Sequence, residues 1–544
     1  MKSHKRRFTS ILAALFALVL LLAACGPGGQ KQNLKIANIA MTDPISSLNP
    51  VFMDASEAMK YAVGISWDPI VELNEKLEFE GVLAESVTLQ EDGKTFRVKI
   101  KDDAKWSDGE PITSDDLIFY TIQIRTPSVG NISMAAYYLI EGFDPETGQV
   151  PDDTKEVSGL VRVDDKTVDF VPREPISLEN FLNNYMRYSY PIPYHLLKDM
   201  TSAELAKTDW FTQPEAVSGA FIPTQVDLAN AISFKKNEAY WQGEPKLDRL
   251  NIKITDGAQL LAGLESGEID YVQQTTAVFP QEDQAAVEKL DKAKAIYAEP
   301  VTSQFTFINQ ESIPDKRVRQ AMLLALDRQG LVDSFLDGHG EVVDGFLTST
   351  STYFDSSLEA VKQDLDKAKA LMDEAKKDGF DPNREFVFKI NSGDQTFVQM
   401  STIVIEQWKQ LGLNVKVQTV PLNNLLADAA SHSFDILAVQ YTLPAAAPAL
   451  DIAWLTGPDN WANFHNDRVD ALLAEASGFS GEAADGVKLY GELNRIIQDE
   501  VPMMNLYVIE PLGAKSERLQ AQDPSVFGGF MNLHEWDIID RSNE

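Results

Sequence analysis

Chemistry needs a nucleophile, a metal cluster or a phosphate cradle, and this chain carries each only in fragments. The single cysteine among 544 residues, Cys25, ends an apolar run, so neither an internal disulfide nor a cysteine metal site is available. Six histidines, His4, His195, His339, His432, His465 and His534, show none of the paired metal spacings and read as surface or packing residues. Gly93-Lys94-Thr95 looks like the end of a phosphate loop. Thr88, however, stands where that loop needs its first glycine, and the flanks predict a hairpin. No G-x-S-x-G elbow occurs, and carboxylates are too numerous for one catalytic pair to stand out. The residues point away from catalysis and call for no cofactor or metal. Aromatics weigh more: Trp454 and Trp461 flank the turn at 455–460, near Tyr441 in sequence. Loop aromatics serve recognition surfaces as well as core edges.

The residues before Cys25 explain its position. Lys2, Lys5, Arg6 and Arg7 precede a 14-residue apolar stretch, 11–24, which is short of the roughly 20 residues a membrane span needs and reads as a signal peptide. Leu22-Ala23-Ala24-Cys25 resembles the bacterial lipobox, in which the cysteine is lipidated and becomes the new N-terminus. Two acyl chains there hold a protein stably at a membrane, and "GPGGQKQN" after it reads as a tether. Removing residues 1–24 takes away four basic groups and no acidic one, leaving 44 Lys+Arg against 82 Asp+Glu, a net charge of −38. Such a surface repels nucleic acid and anionic lipid and serves solubility.

Length and composition predict two or three folded domains, with 44% apolar residues to fill their cores. In "FRVKIK" (96–101) the apolar residues alternate as in a half-buried strand, and "LNIKI" (250–254) does the same. Val318, Ala321, Met322 and Ala325 recur at helical spacing behind a capping Asp315, with a break expected at Gly330. A second helix ends near Gly379, and strands follow at 413–417 and 434–441. Alternation of helix and strand over 310–440 predicts an α/β domain, whereas 73–190, with turns at "EDGK", "DPETG" and "VDDK", looks richer in hairpins.

Several segments taken in order resemble the family 5 extracellular solute-binding proteins, the oligopeptide, dipeptide and nickel group that feeds ABC importers. They are "LAESVTLQEDGKTFRVKIKDDAKWSDGEPITSDDLIFY" (83–120), "VSGAF" (217–221), "NEAYWQGEPKLDRLNIKI" (237–254), "GLESGEIDYV" (263–272), "PDKRVRQAMLLALDRQGLVD" (314–333) and "HNDRVDALLAEA" (465–476). The resemblance implies an α/β, bilobal periplasmic-binding-protein-like fold with two hinge crossovers plus an extra mixed α/β domain. Its divisions would be the signal peptide 1–24, tether 25–33, lobe I at 34–72, 191–300 and 508–544, the extra domain 73–190 and lobe II 301–507. It implies a non-enzymatic, monomeric receptor that encloses a peptide between its lobes and delivers it to permease subunits, anchored outside the membrane through Cys25. The acidity and the lipobox suit a Gram-positive surface. An oligosaccharide stacking on Trp454 and Trp461, a nickel chelate, or a sensed peptide pheromone are the alternative ligands.

In relatives the cleft is lined by backbone corresponding to "NPVFMDASEA" (49–58) and "PVTSQFTFIN" (300–309), which would hold a peptide as an added strand. Met53, Asp54, Gln304 and Phe305 are the candidates there, with Tyr441, Thr442, Pro444, Trp454 and Trp461 across the cleft. Trp106 of "KWSDGEP" is read as a packing residue. Many peptide-binding relatives carry an aspartate for the peptide α-ammonium near Pro444, but this loop has no acid before Asp451, and 341–347 has no arginine for a carboxylate. Unless Asp54 or Asp451 substitutes, the resemblance implies that peptides are gripped mid-chain.

Overall fold

The expected strand at 96–101 forms as Phe96–Ile100, with Phe96, Val98 and Ile100 fully buried and Arg97 and Lys99 half-exposed. It belongs to an antiparallel four-stranded sheet, ordered Ala84–Leu89, Phe96–Ile100, Thr167–Phe170, Leu160–Asp164. Its inner face packs on Phe181, whose ring stacks on Phe96 with centroids 4.1 Å apart. The structure, a computed structural model, describes residues 34–539 except 54–55, 75–77, 132–134, 276–278, 444–448, 450–451, 453–454, 456–459 and 527–528.

Much of the "WSDGEPITSDD" signature proves architectural. Trp106 is buried edge-on against Trp67, Gly109 takes φ 95° in the turn that follows, and Thr113 and Asp116 form the capping box that starts helix Ser114–Gln123.

Two larger sheets form the lobes. The first has seven strands, in the order Ala293–Tyr297, Leu512–Ser516, Tyr271–Val272, Ile36–Met41, Arg249–Ile254, Ala231–Lys236 and Phe221–Asp227. The second has six: Gly340–Glu341, Met503–Ile509, Thr302–Ile308, Ile436–Thr442, Glu385–Asn391 and Asn414–Val420. One face of this second sheet is covered by helices that include Lys316–Leu324, Leu365–Lys377 and Gln395–Lys409. The other face is covered by Asp467–Ser477 and Ala483–Glu500. Asp315 caps the first of these helices as expected, but the break falls at 325–327. Gly330 instead sits in the first turn of Arg328–Phe335, its N–H bonded to the capping Asp327 carboxylate.

The chain passes between the two sheets twice. Ala293–Tyr297 leads to Thr302–Ile308 through residues 298–301, and Met503–Ile509 leads back to Leu512–Ser516 through residues 510–511. The second sheet therefore runs to Ile509, where the sequence suggested a boundary at 507. The Ala298 N–H donates to the Pro511 carbonyl at 2.9 Å, so the crossovers lie side by side, and Pro300 and Pro511 restrict the backbone of each. The fold is thus α/β and bilobal with an extra domain.

Candidate binding cleft

In the first sheet Arg249–Ile254, Ile36–Met41 and Tyr271–Val272 run parallel; in the second, Asn414–Val420, Glu385–Asn391 and Ile436–Thr442 do. Thr442 pairs with Thr302, where one crossover enters, and Val272 pairs with Ala514, just past the other. The carboxyl ends of both parallel sets therefore meet at the crossovers, the position where open α/β sheets present their loops to ligands.

On the lobe I side the loop after Ile36–Met41 is fixed by Asn49, whose Oδ1 accepts from Val51 N–H and whose Nδ2 donates to the Leu205 carbonyl at 2.7 Å. Asn131 Nδ2 donates to the Val51 carbonyl. Met53 is buried in the core shared with the extra domain, while the neighbouring Phe52 ring is 40% exposed; Asp54 lies outside the described residues. After Tyr271–Val272, Gln273 Oε1 accepts from Ser525 N–H and Gln274 Nε2 donates to the Ile296 carbonyl, pinning this loop to the crossover strand.

On the lobe II side Thr302–Ile308 has neighbours on both edges, so its backbone has no free ladder for an added strand, contrary to the expectation for 300–309. The ladder ends next door. Ile436–Thr442 pairs with Thr302–Ile308 along its whole length, but its pairing with Glu385–Asn391 stops at Ala438, because that chain turns through residues 392–394 into helix Gln395–Lys409. Among the described residues no strand occupies the edge of 439–442. Tyr441 and Thr442 are half-buried there, with Thr442 Oγ1 2.8 Å from Thr302 Oγ1. Phe305 is buried in the lobe II core beside Phe307, and Trp461 is half-buried with its ring edge-on to Phe307 at 5.2 Å. Gln304 is 1% exposed, and neither of its amide atoms has a hydrogen-bond partner among the described residues. Pro444, Asp451 and Trp454 lie outside the described residues.

Residues 78–463 match the family described as bacterial extracellular solute-binding proteins, family 5 Middle. The chain belongs to this family. It is a solute-binding protein and not an enzyme. The oligopeptide-binding protein AppA of Bacillus subtilis (strain 168) is 24% identical over 570 residues, covering 98% of this chain and 99% of AppA. The structure of lactococcal OppA complexed with an endogenous peptide in the closed conformation superposes with a TM-score of 0.78 at 20% identity, covering 93% of this chain and 100% of that one. NikZ from Campylobacter jejuni in complex with Ni(L-His) gives 0.73 at 19% identity, covering 92% and 99%. The last two likenesses concern the fold alone. Members of the family are extracytoplasmic; no helix among the described residues is long and apolar enough to cross a membrane.

Sequence reasoning missed several features of this solute-binding protein. Asp394 caps helix Gln395–Lys409, a local signal the sequence carried; burial pushes its carboxyl up to about 6, against the hydrogen bond it accepts from Phe397 N–H. An arginine does stand near 341–347, supplied by Arg328, but it is committed to Asp344 at 2.7 Å and to the carbonyls of Val343, Val361 and Asn505. At the crossovers His339 of lobe II stacks on Tyr297 of lobe I, centroids 3.8 Å apart, with its Nδ1 3.2 Å from Glu510. On the far side of lobe II the Ser477 carbonyl accepts from Ser177 N–H and Asn180 Nδ2, both of the extra domain, at 3.0 and 2.9 Å. The two lobes therefore touch at the hinge and again through the extra domain, with the cleft framed between.

Proposed function

We propose that this protein captures peptides in the cleft and passes them to the permease subunits of an ABC importer. The observation that carries this reading is that the ladder between Ile436–Thr442 and Glu385–Asn391 ends at Ala438, so that among the described residues no strand runs on beside Val439 and Gln440, and an extended ligand in the cleft would take that place. Main-chain pairing gives affinity without a sequence requirement, and the oligopeptide-binding name of AppA supports the choice of solute. Tyr441 and Thr442 flank that place. Asp54, Pro444, Trp454 and Trp461 are proposed contacts of the solute, while the buried Met53, Gln304 and Phe305 support the walls beneath. With Arg328 committed to Asp344 and no acid in the loop before Asp451, the peptide is held by its middle rather than by its ends.

The mature protein begins at a lipidated Cys25, works as a monomer on a Gram-positive surface, and is tethered by 25–33 to lobe I (34–72, 191–300, 510–544), the extra domain (73–190) and lobe II (301–509). Cys25→Ser is expected to move the protein from the membrane to the soluble fraction; retention in the membrane fraction would refute the anchor. The solute is tested by native mass spectrometry of residues 26–544 purified without refolding, with sequencing of what is released. A heterogeneous set of peptides is the expected result. An empty protein stabilised only by a sugar or a nickel chelate would overturn it.

A further inference from the structure

A pocket of about 260 Å3 runs along helix Glu57–Gly64, between residues 529–533 and the extra domain, and no residue of lobe II lines it. Its floor lies at the end of the first sheet opposite the cleft. Asp68 N–H donates there to Ser218 Oγ, just ahead of Phe221; Phe221 pairs with Lys236, and Lys235 with Arg249, where a strand running toward the cleft begins. Asp68 is 6% exposed and lines the pocket. Its Oδ2 accepts from Tyr240 OH and Trp241 Nε1 at 3.1 and 3.0 Å, whereas among the described residues Oδ1 accepts no hydrogen bond and no cation pairs with the carboxylate. Burial in that state pushes the carboxyl up to about 7. The other charges of the wall are engaged. Lys60 pairs with Glu57 at 2.7 Å and Arg187 with Glu72 at 2.9 Å, leaving Asp68 and Glu80 against Lys101, whose Nζ donates to the Gly81 and Val82 carbonyls at 2.8 Å. The lining is one positive charge short. Gly64 is an independent sign that the space is kept open: it ends a helix, where alanine is the better residue, yet a Cβ there would meet no atom within 4 Å and its φ is not left-handed.

We propose that this pocket binds a small organic ammonium ion, with Asp68 Oδ1 as its counter-charge and the rings of Tyr61, Tyr190, Tyr240 and Phe530 around its carbon groups. The ion supplies the charge the lining lacks, and aromatic faces attract cations whether or not the nitrogen carries protons to donate. A bare metal ion is the poorer fit, because among the described residues no three His, Cys, Asp or Glu side chains converge to hold one. This second site is separate from the peptide cleft and does not depend on what the cleft takes.

The test uses residues 26–544 at pH 8, where Asp68 is ionised, and isothermal titration with choline, ethanolamine and 3,3-dimethylbutan-1-ol, the uncharged isostere of choline. At least one cation is expected to bind about tenfold or more tightly than the alcohol, as for a charge held by rings and a carboxylate. Choline ahead of ethanolamine would mean that the rings dominate, and the reverse order that the hydrogen bond to Oδ1 does. Asp68→Asn keeps the shape of the side chain and is expected to bring the difference from the alcohol to within about twofold. Gly64→Leu is the second variant. It fills the open space with a better helix former, so the melting temperature of the free protein is expected to hold or rise while cation binding is lost. Three results would each overturn the site: no cation binding more tightly than the alcohol, a difference that survives in Asp68→Asn, or cation binding undisturbed by Gly64→Leu. None of them touches the peptide reading, which stands or falls on what the native mass spectrometry releases.

Discussion

Asp270, inside the "GEIDYV" signature, is wholly buried and ties its own segment to two other parts of lobe I. Its carboxylate accepts from Asn38 N–H in the first strand at 3.0 Å and from Arg518 Nε and Nη2 in the C-terminal return at 2.6 and 2.8 Å. Asp270→Asn keeps the shape but turns one oxygen into an NH2 group facing donors. Breaking a buried pair by removing one partner costs about 3–5 kcal/mol. Arg518 is 40% exposed and regains water when released, so the cost falls below that range, to about 2–3 kcal/mol. At about 2–4 °C per kcal/mol, the lobe I transition in differential scanning calorimetry is expected to fall by about 4–12 °C. Arg518→Ala completes a double-mutant cycle, with an expected coupling above about 1 kcal/mol. A shift under 2 °C, or no coupling, would refute the argument that this ion pair joins the pieces of the lobe.

Other outcomes follow from single contacts. Asp68 accepts from Tyr240 OH and Trp241 Nε1, but burial pushes its carboxyl up from 3.8 to about 7. Between those values the folded protein holds a proton the unfolded chain has lost, so this group favours folding on acidification from pH 8 to 5, by about 2–3 kcal/mol. Asp68→Asn is therefore expected to raise the melting temperature at pH 8 and to have a much smaller effect at pH 5; equal shifts at both would exclude that titration. Asn180→Ala removes one of two bonds to the Ser477 carbonyl, and about 1 kcal/mol less for the touching state should speed solute release about fivefold in stopped flow, an unchanged rate counting against any role in closure. A Cβ on Gly219 would stand 2.6 Å from the Ser66 carbonyl carbon, so Gly219→Ala is expected to destabilise by about 1–3 kcal/mol in urea titrations; unchanged stability would show that the backbones part freely.

Local rules were sufficient wherever neighbours in sequence decide the outcome. The alternation at Phe96, Val98 and Ile100 and the cap at Asp315 both form as their residue types require. The signatures were legible as family marks, while their reasons became visible only in space: a capping box at Thr113, a backbone approach at Gly219, a buried carboxylate at Asp270. Thr302–Ile308 defeated sequence reading because its Thr, Ser and Gln suggest a solvent-facing edge, whereas both neighbours are strands and all seven residues are buried. Gly330 misled in the opposite sense, since a glycine three residues past a capping aspartate sits comfortably in a first helical turn. His339 carries no local signal, because its partners Tyr297 and Glu510 lie on remote segments.

The paired crossovers have a mechanical consequence. A single linker would let two lobes swivel, twist and slide, but two short chain segments joined by the Ala298–Pro511 bond act as a strip flexure. Such a strip bends readily about one line and resists torsion about its length. Motion of the lobes is thereby reduced to a jaw with one soft coordinate, so little orientational freedom is left to lose on closing, and most of the energy of a solute in the groove goes into holding the jaw shut.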